Sequence, residues 1–242
     1  MRLPRFHCPG PLVPGMSLPL PPEASHHALH VLRMKEDDAL FVFDGEGREF
    51  RARIQRIERK VVTLAVEDAT SSDPEPPFAV ILGQGIASGE RMDYTLQKAV
   101  ELGVTEIWPI AAQRSVVRLT GERADKRLSH WRRVVIAACE QSGRSRVPPV
   151  HPPLRLSDWL ATVPAGLRLM LSPEATTRLG NLAAPQGPVI LLVGPEGGLS
   201  EAERTLAQSR GFEPVRLGPR ILRTETAALA ALAAMHALWG DF

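Results

Sequence analysis

The hydrophobic and polar positions change rhythm once along the chain. Over residues 39–68 they mostly alternate, with Ala-Leu-Phe-Val-Phe from Ala39, a turn at Asp44-Gly45-Glu46-Gly47, Glu-Phe-Arg-Ala-Arg-Ile-Gln-Arg-Ile from Glu49, and Val-Val-Thr-Leu-Ala-Val from Val61. Successive strands joined by short turns predict a small β-barrel. A short helix is expected before it, over 24–34, and Ser71-Ser72-Asp73-Pro74-Glu75-Pro76-Pro77 has the composition of a stiff linker. The domain boundary is placed there, giving a first domain over 1–72 and a second over 73–242.

From Phe78 the rhythm becomes that of alternating strands and helices. Strands are expected at 78–82, 106–110, 168–171, 189–193 and 214–216, with helices at 92–102, 126–141, 201–208 and 225–239, the order of an α/β domain with a largely parallel sheet. Ser200-Glu201-Ala202-Glu203 reads as a capping box, in which hydroxyl and carboxylate satisfy each other's orphan amides. The last helix, with Ala227-Ala228-Leu229-Ala230-Ala231-Leu232-Ala233-Ala234-Met235-His236-Ala237-Leu238-Trp239, is apolar nearly all round, so it should be covered on several sides, with a second subunit as one candidate cover.

Composition removes several classes. The 22 prolines and 19 glycines lie between apolar runs rather than in a repeat, which excludes collagen-like and low-complexity chains. The uncharged stretch Ala227–Gly240 is too short for a bilayer span, and early prolines interrupt any signal-peptide core, so a cytoplasmic protein is expected. Cys8 and Cys139 are too few for a disulfide framework, and His26, His27 and His30 lack companion ligands, so no metal is expected. The net charge of +2 would not announce a nucleic-acid partner. Its distribution changes the picture, because ten basic residues face three acidic ones between Arg114 and Arg155.

Chemistry concentrates in glycine loops. Gly83-Gln84-Gly85-Ile86-Ala87-Ser88-Gly89 follows a strand, but the last glycine is one residue late for a dinucleotide turn and no acidic ribose ligand follows on a second strand. In Leu191-Leu192-Val193-Gly194-Pro195-Glu196-Gly197-Gly198-Leu199-Ser200, a buried strand delivers three glycines directly to a capped helix, where open α/β sheets bind ligands. It lacks the Lys-Ser/Thr of a phosphate-binding P-loop. A second loop, Val215-Arg216-Leu217-Gly218-Pro219-Arg220-Ile221-Leu222-Arg223-Thr224-Glu225-Thr226, repeats the strand, Gly-Pro turn and helix, so the two suggest one shared site. Thr224 is a candidate N-cap there. Arg220 and Arg223 read equally as solvated or ligand-facing.

These loops, with Met92-Asp93-Tyr94-Thr95-Leu96-Gln97-Lys98-Ala99-Val100-Glu101-Leu102-Gly103-Val104 and Glu140-Gln141-Ser142-Gly143-Arg144, closely resemble the bacterial 16S ribosomal RNA (uracil-N3) methyltransferase family of the SPOUT superfamily. Arg2-Leu3-Pro4-Arg5-Phe6 and His27-Ala28-Leu29-His30-Val31-Leu32-Arg33-Met34 resemble its PUA-like RNA-binding domain, so the likeness spans almost the whole chain. The resemblance implies a C-terminal trefoil knot, a homodimer, S-adenosylmethionine as methyl donor and 16S rRNA of the small ribosomal subunit as substrate. It implies cofactor contacts at Leu171, Gly194, Pro195, Glu196, Gly197, Leu217, Gly218, Ile221, Leu222 and Thr226. Uracil N3 must lose a proton, so Arg5 and Arg223 are candidates for stabilising the anion, and Glu196 is either a base or a group that fixes its loop. Arg2, Arg5, Arg33, Arg114, Arg118, Arg132, Arg133 and Arg144 are candidate RNA contacts. A non-catalytic RNA-binding factor, and a methyltransferase acting on another base or on ribose, remain alternatives.

Overall fold

The computed structural model describes residues 3–70, 75–117 and 119–242. It divides into two compact units: residues up to Glu75 together with Cys139–Val147, and Pro76–Ala138 together with Pro148–Phe242. The linker reading placed one cut in the chain, whereas the contacts assign the segment 139–147 to the first unit.

The first unit holds β1 (Arg5–His7), β2 (Ser17–Pro19), α1 (Pro22–His26), β3 (Ala39–Phe43), β4 (Glu49–Glu58) and β5 (Val61–Thr70). Its five-stranded sheet has the order β1-β3-β4-β5-β2, with β1 parallel to β3 and the remaining pairs antiparallel. Alternation does its expected work: Leu40, Val42, Ala52, Ile54, Val62 and Leu64 are buried and pack with Phe6, Leu12 and Leu20, while intervening positions are wetter. Arg59 and Lys60 turn the β4–β5 hairpin with φ of 46° and 71°, the positive values a twisted two-residue turn requires. The predicted helix over 24–34 begins earlier, at Pro22, where the missing amide costs nothing. It then gives way to a π-turn over His27–Val31, and Arg33, at φ 55°, ends it.

The second unit is built on β6 (Val80–Gly85), α2 (Glu90–Glu101), β7 (Glu106–Ala111), α3 (Glu122–Ser142, its last turn counted with the first unit), β8 (Leu154–Arg155), α4 (Leu156–Thr162), β9 (Leu167–Leu171), β10 (Val189–Val193), α5 (Glu201–Ser209), β11 (Glu213–Val215) and α6 (Thr224–Trp239). Its six strands run β11-β9-β10-β6-β7-β8 and every pairing is parallel. Central β10 is buried throughout, as a strand covered on both faces must be. β8 and α4 were not expected: two and seven residues after a proline-rich stretch carry too little periodicity to read. α2 and α3 start two and four residues before their predicted positions at 92 and 126.

β6 explains the glycines that imitate a dinucleotide turn. A Cβ on Gly83 would enter the Trp159 indole, and one on Gly85 would enter the backbone of Pro195. Both glycines therefore serve close packing, the second by letting the loop after β10 lie against β6.

Candidate functional site

β9 lies between β11 and β10, and the chain leaves all three at the same edge of the sheet. Leu171-Ser172-Pro173 after β9, Gly194–Leu199 after β10 and Arg216–Arg223 after β11 together line a cavity of about 550 Å³. Adjacent carboxyl strand ends are where open α/β sheets hold ligands, and this volume suits a nucleoside-sized molecule. Of the ten predicted cofactor contacts, Leu171, Gly194, Pro195, Glu196, Gly197, Leu217, Gly218, Ile221 and Leu222 line this cavity. Thr226 does not; it is exposed on α6 and outside the lining, which corrects its assignment.

The position two residues earlier carries the chemistry instead. Thr224 Oγ1 donates to the Gly194 carbonyl at 2.6 Å and accepts from Gln84 Nε2 at 2.9 Å. Its hydroxyl therefore does not cap α6; Arg223 holds the N-cap position, without a side-chain capping bond. Gln84 is fully buried in β6 and, through Thr224, ties that strand to the start of α6 and to the glycine loop. Burying an amide without such partners would cost about 1–3 kcal/mol, so this relay fixes the loop's position. The one readable sign was a glutamine inside an otherwise apolar and glycine strand.

The loop is pinned from its other side by Glu196. Oε1 of Glu196 accepts from the Ser88 amide at 2.9 Å, the Ser88 hydroxyl at 2.8 Å and Arg91 Nη1 at 3.2 Å. Burial alone would raise this carboxyl, but the Ser88 amide, its own amide, the Ser88 hydroxyl and Arg91 together hold it below the usual carboxylate value. A carboxylate with three donors on one oxygen and a lowered pKa is a weaker proton acceptor, which favours the loop-fixing role of Glu196 over that of a base. Ser200 and Glu203 close the expected capping box, and the second Glu203 oxygen accepts from the Gln113 amide at 2.7 Å.

The wall is backbone and the rim is cationic. A Cβ on Gly197 would stand 2.9 Å from Arg114 Cβ, and Arg114 Nη1 donates to the Gly197 carbonyl at 3.3 Å. Six arginines line the cavity, at 91, 114, 204, 216, 220 and 223, against Glu196 and Glu225. Arg220 and Arg223 are exposed at its edge. Of the residues lining the cavity, Arg216 and Glu225 each carry a buried polar atom without a hydrogen-bond partner, Nε and Oε2. Unsatisfied polar atoms on residues that line a cavity are candidates for pairing with a polar ligand once side chains adjust around it.

Two predicted arginines are spent elsewhere. Arg5 is buried; its Nε donates to Glu49 at 2.6 Å, Nη1 to the Cys139 carbonyl at 2.7 Å and Nη2 to Ser145 Oγ at 3.1 Å. Arg144 is also buried and grips Glu75 through Nε at 2.9 Å and Nη2 at 2.6 Å. Both are corrected to structural roles in the first unit: a guanidinium so enclosed cannot reach a phosphate or a uracil. Arg33, Arg132 and Arg133 are exposed, with Arg132 donating to the Val150 carbonyl at 3.2 Å. Arg2 and Arg118 lie outside the described residues. Burial pushes the thiols of Cys8 and Cys139 up to about 12, which leaves them protonated and inert. Among the described residues no group of three metal-ligating side chains comes together, and no helix is long and apolar enough to cross a membrane.

A parallel sheet that presents backbone and glycine to a nucleoside-sized cavity, under a rim of guanidinium groups, defines a class of α/β protein that binds a nucleotide-like cofactor at its strand ends and an anionic partner at the mouth. Comparison with known proteins narrows the class. The chain belongs to the RNA methyltransferase family: residues 74–236 match its RNA methyltransferase domain and residues 20–67 an RNA methyltransferase PUA domain. It is 33% identical to ribosomal RNA small subunit methyltransferase E of Buchnera aphidicola subsp. Schizaphis graminum, over 99% of this chain and 98% of that one. Ribosomal RNA small subunit methyltransferase E of Neisseria gonorrhoeae, solved bound to S-adenosylmethionine, matches with a TM-score of 0.94 and 44% identity, covering 100% of both chains. A Legionella pneumophila protein solved with the same cofactor matches with a TM-score of 0.97 and 38% identity, again over 100% of both.

Proposed function

We propose that this chain transfers a methyl group from S-adenosylmethionine to N3 of a specific uridine in 16S rRNA of the small ribosomal subunit. The observation that carries the reading is the cavity where three neighbouring strands end, walled by Gly194, Gly197 and Gly218 and rimmed by arginines. Whole-length similarity to small subunit rRNA methyltransferases E supports the substrate class. The N3 position rests on the motif resemblance. So do the trefoil knot, a PUA-like barrel and the homodimer. For the dimer, the apolar α6 and the exposed Tyr94 on α2 and Leu238 on α6 add support.

When bound, S-adenosylmethionine supplies a methyl group on a sulfonium, an electrophile needing no further activation. The chain's own work is to place and to polarise. Backbone at Gly194, Glu196, Gly197, Leu217, Ile221 and Leu222 shapes the cavity, with the glycines leaving room for the cofactor and the Glu196 side chain holding the loop in place. Arg114, Arg220 and Arg223 surround the mouth with positive charge, favouring loss of the N3 proton and stabilising the uracil anion. Because base pairing covers N3, the target must be unpaired or extruded, and recognition extends to the surrounding RNA through the exposed Arg33, Arg132 and Arg133.

The direct test is transfer of labelled methyl from S-adenosylmethionine to unmethylated small subunits. Label in 16S rRNA is expected; label confined to other RNA, or none, contradicts the reading. Arg33→Ala and Arg132→Ala should each weaken RNA binding and reduce its salt slope by about one, measured by titration at several salt concentrations. An unchanged slope removes that residue from the footprint.

Glu196→Gln should lower cofactor affinity by about tenfold while leaving the rate at saturating cofactor and its pH profile nearly unchanged. A rate loss of about a hundredfold or more would instead make Glu196 the base. The sign of the pH effect follows from its depressed pKa. Its pinning of the loop is in place above the ordinary carboxylate value of about 4.3 and is lost as pH falls through the lower folded value. Cofactor affinity should therefore hold from neutral pH into mild acid and fall only below it.

A further inference from the structure

Glu196 is one of two acidic groups lining the cavity, and Ser88 and Arg91 already engage it. The other is Glu225, in the first turn of α6. Its Oε2 is buried with no hydrogen-bond partner, and no ion pair reaches the carboxylate among the described residues. The same cavity is lined by Arg216, at the end of β11, whose Nε is likewise buried and unpartnered. An acidic and a basic side chain thus line one cavity, each with an orphaned polar atom, and do not pair with each other. That is a costly arrangement for the empty protein. A favourable effect of Glu225 on the α6 dipole needs neither a buried oxygen nor an arginine with an unpartnered Nε in the same cavity lining.

A ligand that neutralises both as well as hydrogen-bonding them carries a cationic donor and an anionic acceptor. We propose that Glu225 and Arg216 read the zwitterionic amino-acid end of the cofactor, Glu225 accepting from the α-ammonium and Arg216 donating to the α-carboxylate. This rests on the reading of the cavity as the S-adenosylmethionine site and assigns its charge-selective residues. The division of labour is physical: backbone and apolar groups suit the adenosine, which is neutral, whereas only fixed charges can select an amino acid. The assignment also accounts for one unengaged carboxylate inside a rim that otherwise attracts anions.

Two ligands differing only in the amino-acid end test it: S-adenosylhomocysteine, which has that end, and 5′-methylthioadenosine, which lacks it. Calorimetric titration of the whole chain and of Glu225→Gln and Arg216→Gln would give the four variant affinities, with thermal unfolding to confirm that each variant is folded. Each substitution should weaken S-adenosylhomocysteine by about tenfold or more, equivalent to about 1.4 kcal/mol, and leave 5′-methylthioadenosine within about twofold. Equal weakening of both ligands would assign the residues to the adenosine and overturn the proposal, as would no weakening of either. If the unaltered chain bound neither ligand, the cofactor reading itself would fail, an outcome distinct from these.

Discussion

Gly197→Val is expected to lower affinity for S-adenosylmethionine by roughly a hundredfold while the chain stays folded. Gly197 has no positive φ to lose, so a larger residue does not strain the backbone by itself. The cost is contact: a bare Cβ already stands 2.9 Å from Arg114 Cβ and 3.1 Å from the Arg114 carbonyl, and valine adds two methyl groups to that crowding. The loop must shift, and Gly197 is exposed at the cavity wall, so the shift disturbs the site and not the core. Overpacking of this kind costs about 1–3 kcal/mol, and the upper end corresponds to the stated loss. Calorimetry reports the affinity and a thermal melt reports the fold. Near-normal affinity in a folded variant would remove the glycine loop from the cofactor site.

Arg5→Ala should be the most destabilising single change in the first unit, by about 3–5 kcal/mol in urea unfolding. The Arg5 and Glu49 side chains are only 4% and 7% exposed, and the guanidinium also serves the Cys139 carbonyl and the Ser145 hydroxyl. Truncation would leave a buried carboxylate with Thr70 Oγ1, at 2.9 Å, as its remaining side-chain donor. Arg5→Ala combined with Glu49→Gln should recover part of the loss, because the uncompensated charge is then gone. A folded Arg5→Ala protein of normal stability but without activity would return Arg5 to the catalytic site.

Arg5 shows where reading from residues runs out. A motif marks an arginine as worth keeping, but one-dimensional order cannot say whether its partner is a phosphate or a glutamate 44 residues away. Arg144 was read as an RNA contact for the same reason, and its partner Glu75 lies 69 residues off. The parts that were legible are those with local causes. Alternation placed β3, β4 and β5, the apolar run placed β10, and the Ser200–Glu203 spacing placed the start of α5. Both glycine loops were visible because a strand, a turn and a helix follow one another directly. That they share one cavity depends on β9 separating β10 from β11, which is a property of sheet order. The Gln84–Thr224–Gly194 relay joins residues that are 140 and 30 positions apart, so only the fold reveals it. The conformation of the β4–β5 turn carries no local signal, since Arg59 and Lys60 adopt positive φ without the Asn or Gly that marks such a turn.

We propose that this cavity delivers a methyl group to uracil N3 in the small ribosomal subunit. Incubating the purified chain with S-adenosylmethionine and unmethylated small subunits, and identifying the methylated nucleosides by mass spectrometry, tests donor, acceptor and position of transfer together. N3-methyluridine is the predicted product, and Gly197→Val should form much less of it at limiting cofactor. Methylation of another base or of ribose, or no methylation by a chain that binds the cofactor and meets a competent substrate, would contradict it.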